Sequence, residues 1–77
     1  MAVKVRFFAS LREQVGSAGC EIPFSAELTP AKIWLLATKE QSMPTKLLIA
    51  INQEYATLAD SIREGDEVAF FPPVTGG

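Results

Sequence analysis

Both ends of the chain carry the two-residue alternation of a half-buried β-strand, and this feature constrains the fold more than any other. Apolar side chains recur at every second position in VKVRFF and again in EVAFF. We predict strands over Ala2–Phe8 and 67–71 that share one apolar core. The residues expected to face that core are Val3, Val5, Phe7, Val68 and Phe70. The same parity places Phe8 and Phe71 on the opposite, solvent-facing side of the sheet.

A short helix is predicted directly after the first strand. Ser10 and Glu13 have the spacing of a capping box, in which the first side chain caps the start of the helix. Gly16 lies where a helix stop belongs, so we expect the helix to fill Ser10–Val15.

The main helix is predicted to begin within TPAKIW. Thr29 suits the N-cap, and Pro30 suits the first helical position because the amide hydrogen that proline lacks would be unpaired there. Apolar residues at helical spacing extend the helix to Lys39 or Glu40. We expect Trp34 to belong to the core rather than to contact a ligand.

A second strand is predicted over Cys20–Phe24, where apolar residues again alternate. In this strand Cys20 is expected to face the core as a small apolar residue. Because Pro23 has no amide hydrogen to donate to a neighbouring strand, we expect the strand to lie at an edge of the sheet.

The rest of the chain predicts a loop, two further strands and a tight turn. QSMPT at 41–45 is expected to be a loop, 47–52 a strand, and NQEY a reversal into a short strand at Tyr55–Ala56. Residues 58–66 would form an irregular turn that is tightest at Gly65. The order of these elements predicts an α+β fold in which a helix crosses one face of a single sheet.

The residue types that are missing exclude most side-chain catalysis. The 77 residues include no histidine and one cysteine. Hydrolase triads, cysteine–histidine pairs and histidine metal sites each need an imidazole. We therefore expect no catalysis by this chain alone, no metal site and no intrinsically bound cofactor.

Charge and hydropathy narrow the expected partners and compartment. The formal net charge is −2, with 7 basic and 9 acidic residues well mixed, so there is no basic stripe for nucleic acid or a membrane surface. No apolar run approaches the roughly 20 residues of a membrane span. Charges near the first residues argue against an export signal, so we expect a cytoplasmic protein.

The tail PPVTGG is the feature that points most directly to a function. Its paired prolines cannot donate to a sheet, so the last strand must stop at Phe71 and the tail must project. Fully extended, residues 72–77 span about 20 Å. Because Gly76 and Gly77 lack a β-carbon, groups of another protein can approach their main chain closely. We infer that the terminal carboxylate of Gly77 is the reactive group.

The sequence resembles the ubiquitin-like sulfur carriers, and most closely the molybdopterin synthase small-subunit branch. The residues that carry the resemblance are KVRFFASLREQVG at Lys4–Gly16, AINQ at Ala50–Gln53 and GDEVAFFPPVTGG at Gly65–Gly77. Residues 17–46 match only in pattern, and Thr75 stands where the family often has alanine.

The resemblance implies a β-grasp fold. The chain would form a single ubiquitin-like sulfur-carrier domain over residues 1–77, with a flexible tail at 72–77. The expected domain is a mixed sheet of about five strands with one main helix packed on one face and a short extra helix.

The resemblance also implies a role in molybdenum cofactor biosynthesis. An E1-like activating enzyme would use ATP to adenylate the Gly77 carboxylate, and a sulfur donor would convert it to a thiocarboxylate. The thiocarboxylate would give its sulfur to cyclic pyranopterin monophosphate in the large subunit of molybdopterin synthase, which builds the dithiolene of molybdopterin. The family suggests a heterotetramer, in which this subunit donates sulfur without being catalytic alone.

The predicted site residues lie along the tail and at its root. Gly77 is the reacting residue. The residues expected to pass through a channel of the partner are Pro72, Pro73, Val74, Thr75 and Gly76. Phe71 is the expected docking anchor, with Phe8 beside it, because an aromatic ring at the tail root can fill a partner pocket. Cover by a loop of the same chain, or ordinary exposure, is the other explanation for these two rings.

Two alternative functions remain open. Other carriers of the superfamily serve thiamine synthesis, tRNA thiolation or protein conjugation, and they share the Gly-Gly ending. The stretches FFPP and FFASLRE favour the molybdopterin branch. The second alternative is a non-catalytic interaction module that binds a partner strand at an exposed sheet edge, with the tail incidental.

Overall fold

The structure, a computed structural model, describes residues 2–39 and 47–72. The elements in chain order are β1 (Ala2–Phe7), α1 (Ser10–Val15), β2 (Gly19–Pro23), α2 (Pro30–Thr38), β3 (Leu48–Ile51), β4 (Glu54–Ala56) and β5 (Glu67–Phe71). Each predicted helix and strand is present, with bounds that differ by two residues at most. The loop predicted at 41–45 lies outside the described residues.

The strands form a mixed sheet in the order β2-β1-β5-β3-β4. β1 and β5 are parallel, whereas the other neighbouring pairs are antiparallel. The strand that contains Pro23 lies at an edge, as predicted. The first and last strands of the chain therefore lie side by side inside the sheet.

The core lies between the sheet and α2. The parallel register pairs Val5 with Val68 and Phe7 with Phe70, so their side chains share one face. Trp34 of α2 is fully buried against that face, with its ring 5.8 Å from Phe7 and 5.2 Å from Phe70 in edge-on geometry. The predicted core residues are all at most 2% exposed: Val3, Val5, Phe7, Val68 and Phe70. The predicted core and the placement of Trp34 are confirmed.

The start of α1 differs from the capping-box prediction, which is wrong. Ser10 is the first residue of the helix, and the N-cap is Ala9, which has a φ of 53° and offers no side-chain cap. The reason is tertiary: the Phe8 N–H donates to the Phe70 carbonyl, which leaves one residue for the turn into the helix. The predicted stop is confirmed, because Gly16 has a φ of 83° and its N–H donates to the Arg12 carbonyl.

The predicted N-cap of α2 is confirmed, and the helix ends near the predicted position. Thr29 is the N-cap, and its Oγ1 accepts a hydrogen bond from the Lys32 N–H at 3.3 Å. Pro30 occupies the first helical turn. Lys39 ends the helix in the left-handed region, with its N–H donating to the Leu35 carbonyl.

A tight turn joins β3 to β4 and is tied to the start of β5. Asn52 and Gln53 have φ values of 51° and 70°, as a type I′ hairpin turn requires. The Asn52 side-chain amide donates to Asp66 Oδ1 at 2.9 Å, and its oxygen accepts from the Glu67 N–H at 3.0 Å. The positive φ of Gly65, 85°, confirms the predicted tight position in the preceding loop.

Cys20 is exposed, which corrects the prediction that it faces the core. Its register partner is the buried Val5, so parity alone places it on the core side of the sheet. β2 is an edge strand, however, and Cys20 has a neighbouring strand on one side only. Among the β2 residues, Ile22 is the buried one.

We predict that Trp34→Ala lowers the free energy of unfolding by about 3–5 kcal/mol, because it removes a large buried side chain that packs edge-on against both Phe7 and Phe70. Urea denaturation measures the change. The matched control is Leu36→Ala on the same helix, where the side chain is 59% exposed and the expected loss is within about 0.5 kcal/mol. Equal losses for the two variants would contradict this packing.

We also predict how the alkylation of Cys20 depends on pH. Although Cys20 is exposed, neighbouring atoms partly shield its thiol from water, and this desolvation raises the pKa of the thiol. The thiolate is the form that reacts. Iodoacetamide should therefore modify the folded protein with a midpoint at higher pH than the protein in denaturant, as followed by intact mass. A midpoint at or below the denatured one would contradict the prediction.

Candidate functional site

The root of the tail is marked by two stacked phenylalanines on the sheet face opposite α2, which we call the open face. Phe8 follows β1, and Phe71 ends the adjacent β5. Their ring centroids are 4.8 Å apart with an angle of 8° between the planes. Both side chains are half-buried, so each ring keeps part of its surface accessible to a partner. The predicted proximity and open-face position of the two rings are confirmed.

The tail leaves the sheet beside this ring pair. β5 ends at Phe71, as predicted, and Pro72 follows it in a half-buried position. The predicted channel residues Pro73, Val74, Thr75 and Gly76, and the predicted reacting residue Gly77, lie outside the described residues. Their roles stay predictions.

Charged and aromatic side chains surround the ring pair on the open face. Arg6 and Glu67 form an ion pair in which Nε lies 3.2 Å from Oε2, with the two side chains 59% and 33% exposed. Tyr55, on the edge strand β4, is 83% exposed. The open face is therefore apolar near the tail root and carries opposite charges beside it.

The described part of the chain offers little for side-chain chemistry. Across residues 2–39 and 47–72, no group of three or more cysteine, aspartate and glutamate side chains is placed to hold a metal ion. Neither α1 nor α2 is long and apolar enough to cross a bilayer.

Comparison with known protein families shows which family the sequence belongs to. The sequence pattern of the ThiS family matches residues 5–77, a span that contains β5 and the whole tail. The chain belongs to the ThiS family. It is also 39% identical, over 84 aligned positions, to the molybdopterin synthase sulfur carrier subunit of Escherichia coli K12. That match covers 97% of this chain and 99% of the relative, and a relative of the same name in Haemophilus influenzae is 38% identical over the same shares.

Solved structures agree in fold. SAMP1 from Haloferax volcanii superimposes with a TM-score of 0.78 at 26% identity, and the match covers 100% of both chains. A chain from the complex of subunits 1 and 2 of the molybdopterin-converting factor of Helicobacter pylori gives a TM-score of 0.67 at 22% identity, also over 100% of both chains. The predicted β-grasp fold is confirmed.

Sequence reasoning missed the neighbours of the ring pair. Arg6 comes two residues before Phe8, so the alternation of the strand alone indicated that Arg6 also lies on the open face. Ala69 and Ala50 lie in predicted strands, but no prediction placed them beside Arg6, because that position depends on β5 lying between β1 and β3.

Proposed function

We propose that this protein is the sulfur carrier subunit of molybdopterin synthase. The observation that carries the proposal is the similarity to carrier subunits of that name over 97% of the chain, with the ThiS match continuing to Gly77. The open-face aromatic pair at the tail root supports it, since a carrier must present its tail to other proteins. The proposed compartment is the cytoplasm.

The proposed reactive group is the carboxylate of Gly77. A carboxylate resists attack by sulfur because its oxygen leaves poorly. In adenylation that oxygen attacks the α-phosphorus of ATP and pyrophosphate leaves, so the oxygen becomes part of AMP, which is a better leaving group. An E1-like enzyme would form this acyl-adenylate, and sulfide-level sulfur supplied by a donor would attack the acyl carbon and expel AMP, which leaves a thiocarboxylate. The chain itself supplies no side chain to these steps; it supplies the acyl group.

The proposed acceptor site belongs to the large subunit of the synthase. The sulfur would pass there to cyclic pyranopterin monophosphate, and the large subunit would supply the acids, bases and phosphate-binding groups. Holding the sulfur on a docked protein makes its transfer effectively intramolecular, which replaces a dilute collision with sulfide. The name of the Escherichia coli relative, a subunit of a synthase, supports this partner.

Intact mass spectrometry tests the carrier role. The protein is incubated with ATP, a sulfur source and the activating enzyme of the same organism. We expect a product in which one oxygen is replaced by sulfur, and the same treatment without ATP is the control. An unchanged mass with an enzyme that loads a known carrier would contradict the proposal.

We predict that Phe71→Ala weakens binding to the large subunit by about 30-fold or more, as loss of a central aromatic anchor does. Because the ring is half-buried and stacks mainly on Phe8, the melting temperature should change little. Calorimetric titration and thermal unfolding measure the two effects. Leu36→Ala, on the far face of α2, is the matched control and should bind like the wild type. A large loss of melting temperature with unchanged affinity would contradict the assignment.

Protein conjugation is a second candidate, favoured by the likeness to SAMP1, which another solved structure describes as a small archaeal modifier protein. It would use the same Gly77 carboxylate but end in a bond to a lysine of another protein. Adducts of higher mass that survive reducing conditions would support conjugation. Their absence, together with thiocarboxylate formation, favours the synthase role.

A further inference from the structure

The surface of α2 that points away from the sheet carries two leucines between two lysines. Lys32, Leu35, Leu36 and Lys39 recur at the spacing that places residues on one side of a helix. All four side chains are exposed, and the two leucines are 46% and 59% exposed. We call this surface the far face of α2. It lies on the opposite side of the domain from the open face, because α2 covers the other side of the sheet.

A groove of about 430 Å³ lies beside the two leucines. It is also lined by the turn that precedes α2, in which the Leu28 N–H donates to the Ser25 carbonyl at 3.2 Å. Leu28 is 4% exposed, and together with Leu35 and Leu36 it gives the groove an apolar lining. The groove therefore suits one aliphatic side chain of a partner.

The far face of α2 is basic. Residues 30–39 contain no acidic residue, and Lys32 and Lys39 lie toward the two ends of the helix, about 10 Å apart along its axis. Lys32 occupies the first turn, where the helix dipole disfavours a cation. Glu27 also borders the groove, but these two described residues, Glu27 and Lys32, form no ion pair with each other. The charge of Lys32 therefore does not serve the stability of the helix.

A second copy of the chain does not match this charge pattern. If two far faces met about a twofold axis with their leucines in contact, antiparallel helices would bring Lys32 of one copy to Lys39 of the other. Parallel helices would bring each lysine to its own equivalent. Both arrangements place like charges opposite each other, which disfavours association. A helix that carries carboxylates at the same spacing would pair with both lysines, so the occupant that fits is acidic.

We propose that the far face of α2 binds an acidic amphipathic helix of a protein other than the large synthase subunit. An aliphatic side chain of that helix fills the groove, and two of its carboxylates pair with Lys32 and Lys39. Because the open face is on the other side of the sheet, such a partner leaves the Phe8–Phe71 ring pair accessible. The inference does not depend on the chemistry proposed for Gly77. It adds a second binding surface, by which the protein can be held while its tail is in use.

A pair of synthetic peptides tests the charge pattern. Both peptides are cross-linked into helices and carry two adjacent leucines. In the first, one glutamate stands three residues before the leucine pair and another three residues after it, and in the second both glutamates are replaced by lysines. In an NMR titration of the isotope-labelled protein, we expect the glutamate peptide to bind more tightly than the lysine peptide by about tenfold or more. The amide shifts that change most should be those of Leu35 and Leu36.

Charge reversal at Lys32 separates binding from stability. Lys32→Glu places an acid in the first turn of α2, which suits the helix dipole, so the melting temperature should stay unchanged or rise. We expect the same variant to weaken binding of the glutamate peptide by about tenfold or more and to strengthen binding of the lysine peptide. Lys4→Glu makes the same change of charge at an exposed position of β1 and should alter either affinity by about threefold at most.

Two apolar variants test whether the two surfaces are separate. Leu36→Ala removes the more exposed leucine of the far face. It should weaken binding of the glutamate peptide by about fivefold or more and leave binding of the large subunit unchanged. Phe71→Ala should have the opposite effects.

Several results would overturn the inference. They are no binding of the glutamate peptide, equal binding of the two peptides, wild-type peptide affinity of Leu36→Ala, and shift changes confined to the open face. A dimer of the peptide-free protein in sedimentation, dissociated by Leu36→Ala, would assign the far face to a second copy instead. Binding to phosphatidylglycerol vesicles that Lys32→Glu abolishes, without binding of the peptide, would assign it to a membrane surface. These measurements use neither sulfur nor the Gly77 carboxylate, so a failure of the carrier role would not change their outcome.

Discussion

The parallel pairing of β1 with β5 is the interaction on which the rest of the structure depends. It joins segments from opposite ends of the sequence at the inside of the sheet, and both faces take their character from it. On one face, Phe7 and Phe70 lie side by side under Trp34. On the other face the next residues, Phe8 and Phe71, stack at 4.8 Å. A slip of one residue in this register would exchange core and surface.

This arrangement separates stability from function in a small chain. The helix-covered face holds the buried aromatic residues, so the open face is free to carry a partner-binding surface. The reactive group of the proposed mechanism lies on the main chain, beyond the point where prolines end the last strand. In the proposed mechanism, side chains fold the domain and dock it, and the chemistry is left to an acyl group and to other proteins.

Much of the fold follows from local rules that the sequence shows directly. Strand parity predicted both faces of β1 and β5, and Thr29 with Pro30 predicted the start of α2. Two errors came from tertiary placement. The β1–β5 hydrogen bond at Phe8 set the start of α1, so Ser10 is not a cap. The edge position of β2 exposes Cys20, although its parity points toward the core.

The two-residue alternation of the strands also predicted part of the candidate site. Phe8 and Phe71 could be placed on one face by counting, and their contact followed once the two strands were assumed to be neighbours. The pairing of Ala50 with Ala69 on the open face could not be predicted this way, because it depends on the strand order. Non-local strand order has no two-residue or helical signature in the sequence.

The most direct test of the central claim removes the last residue. A chain lacking Gly77 is combined with the large subunit, the activating enzyme, ATP, a sulfur donor and cyclic pyranopterin monophosphate, and molybdopterin formation is measured. We predict that it still folds and binds the large subunit but forms no product above background. Product formation at the wild-type rate would contradict the claim that the Gly77 carboxylate carries the sulfur.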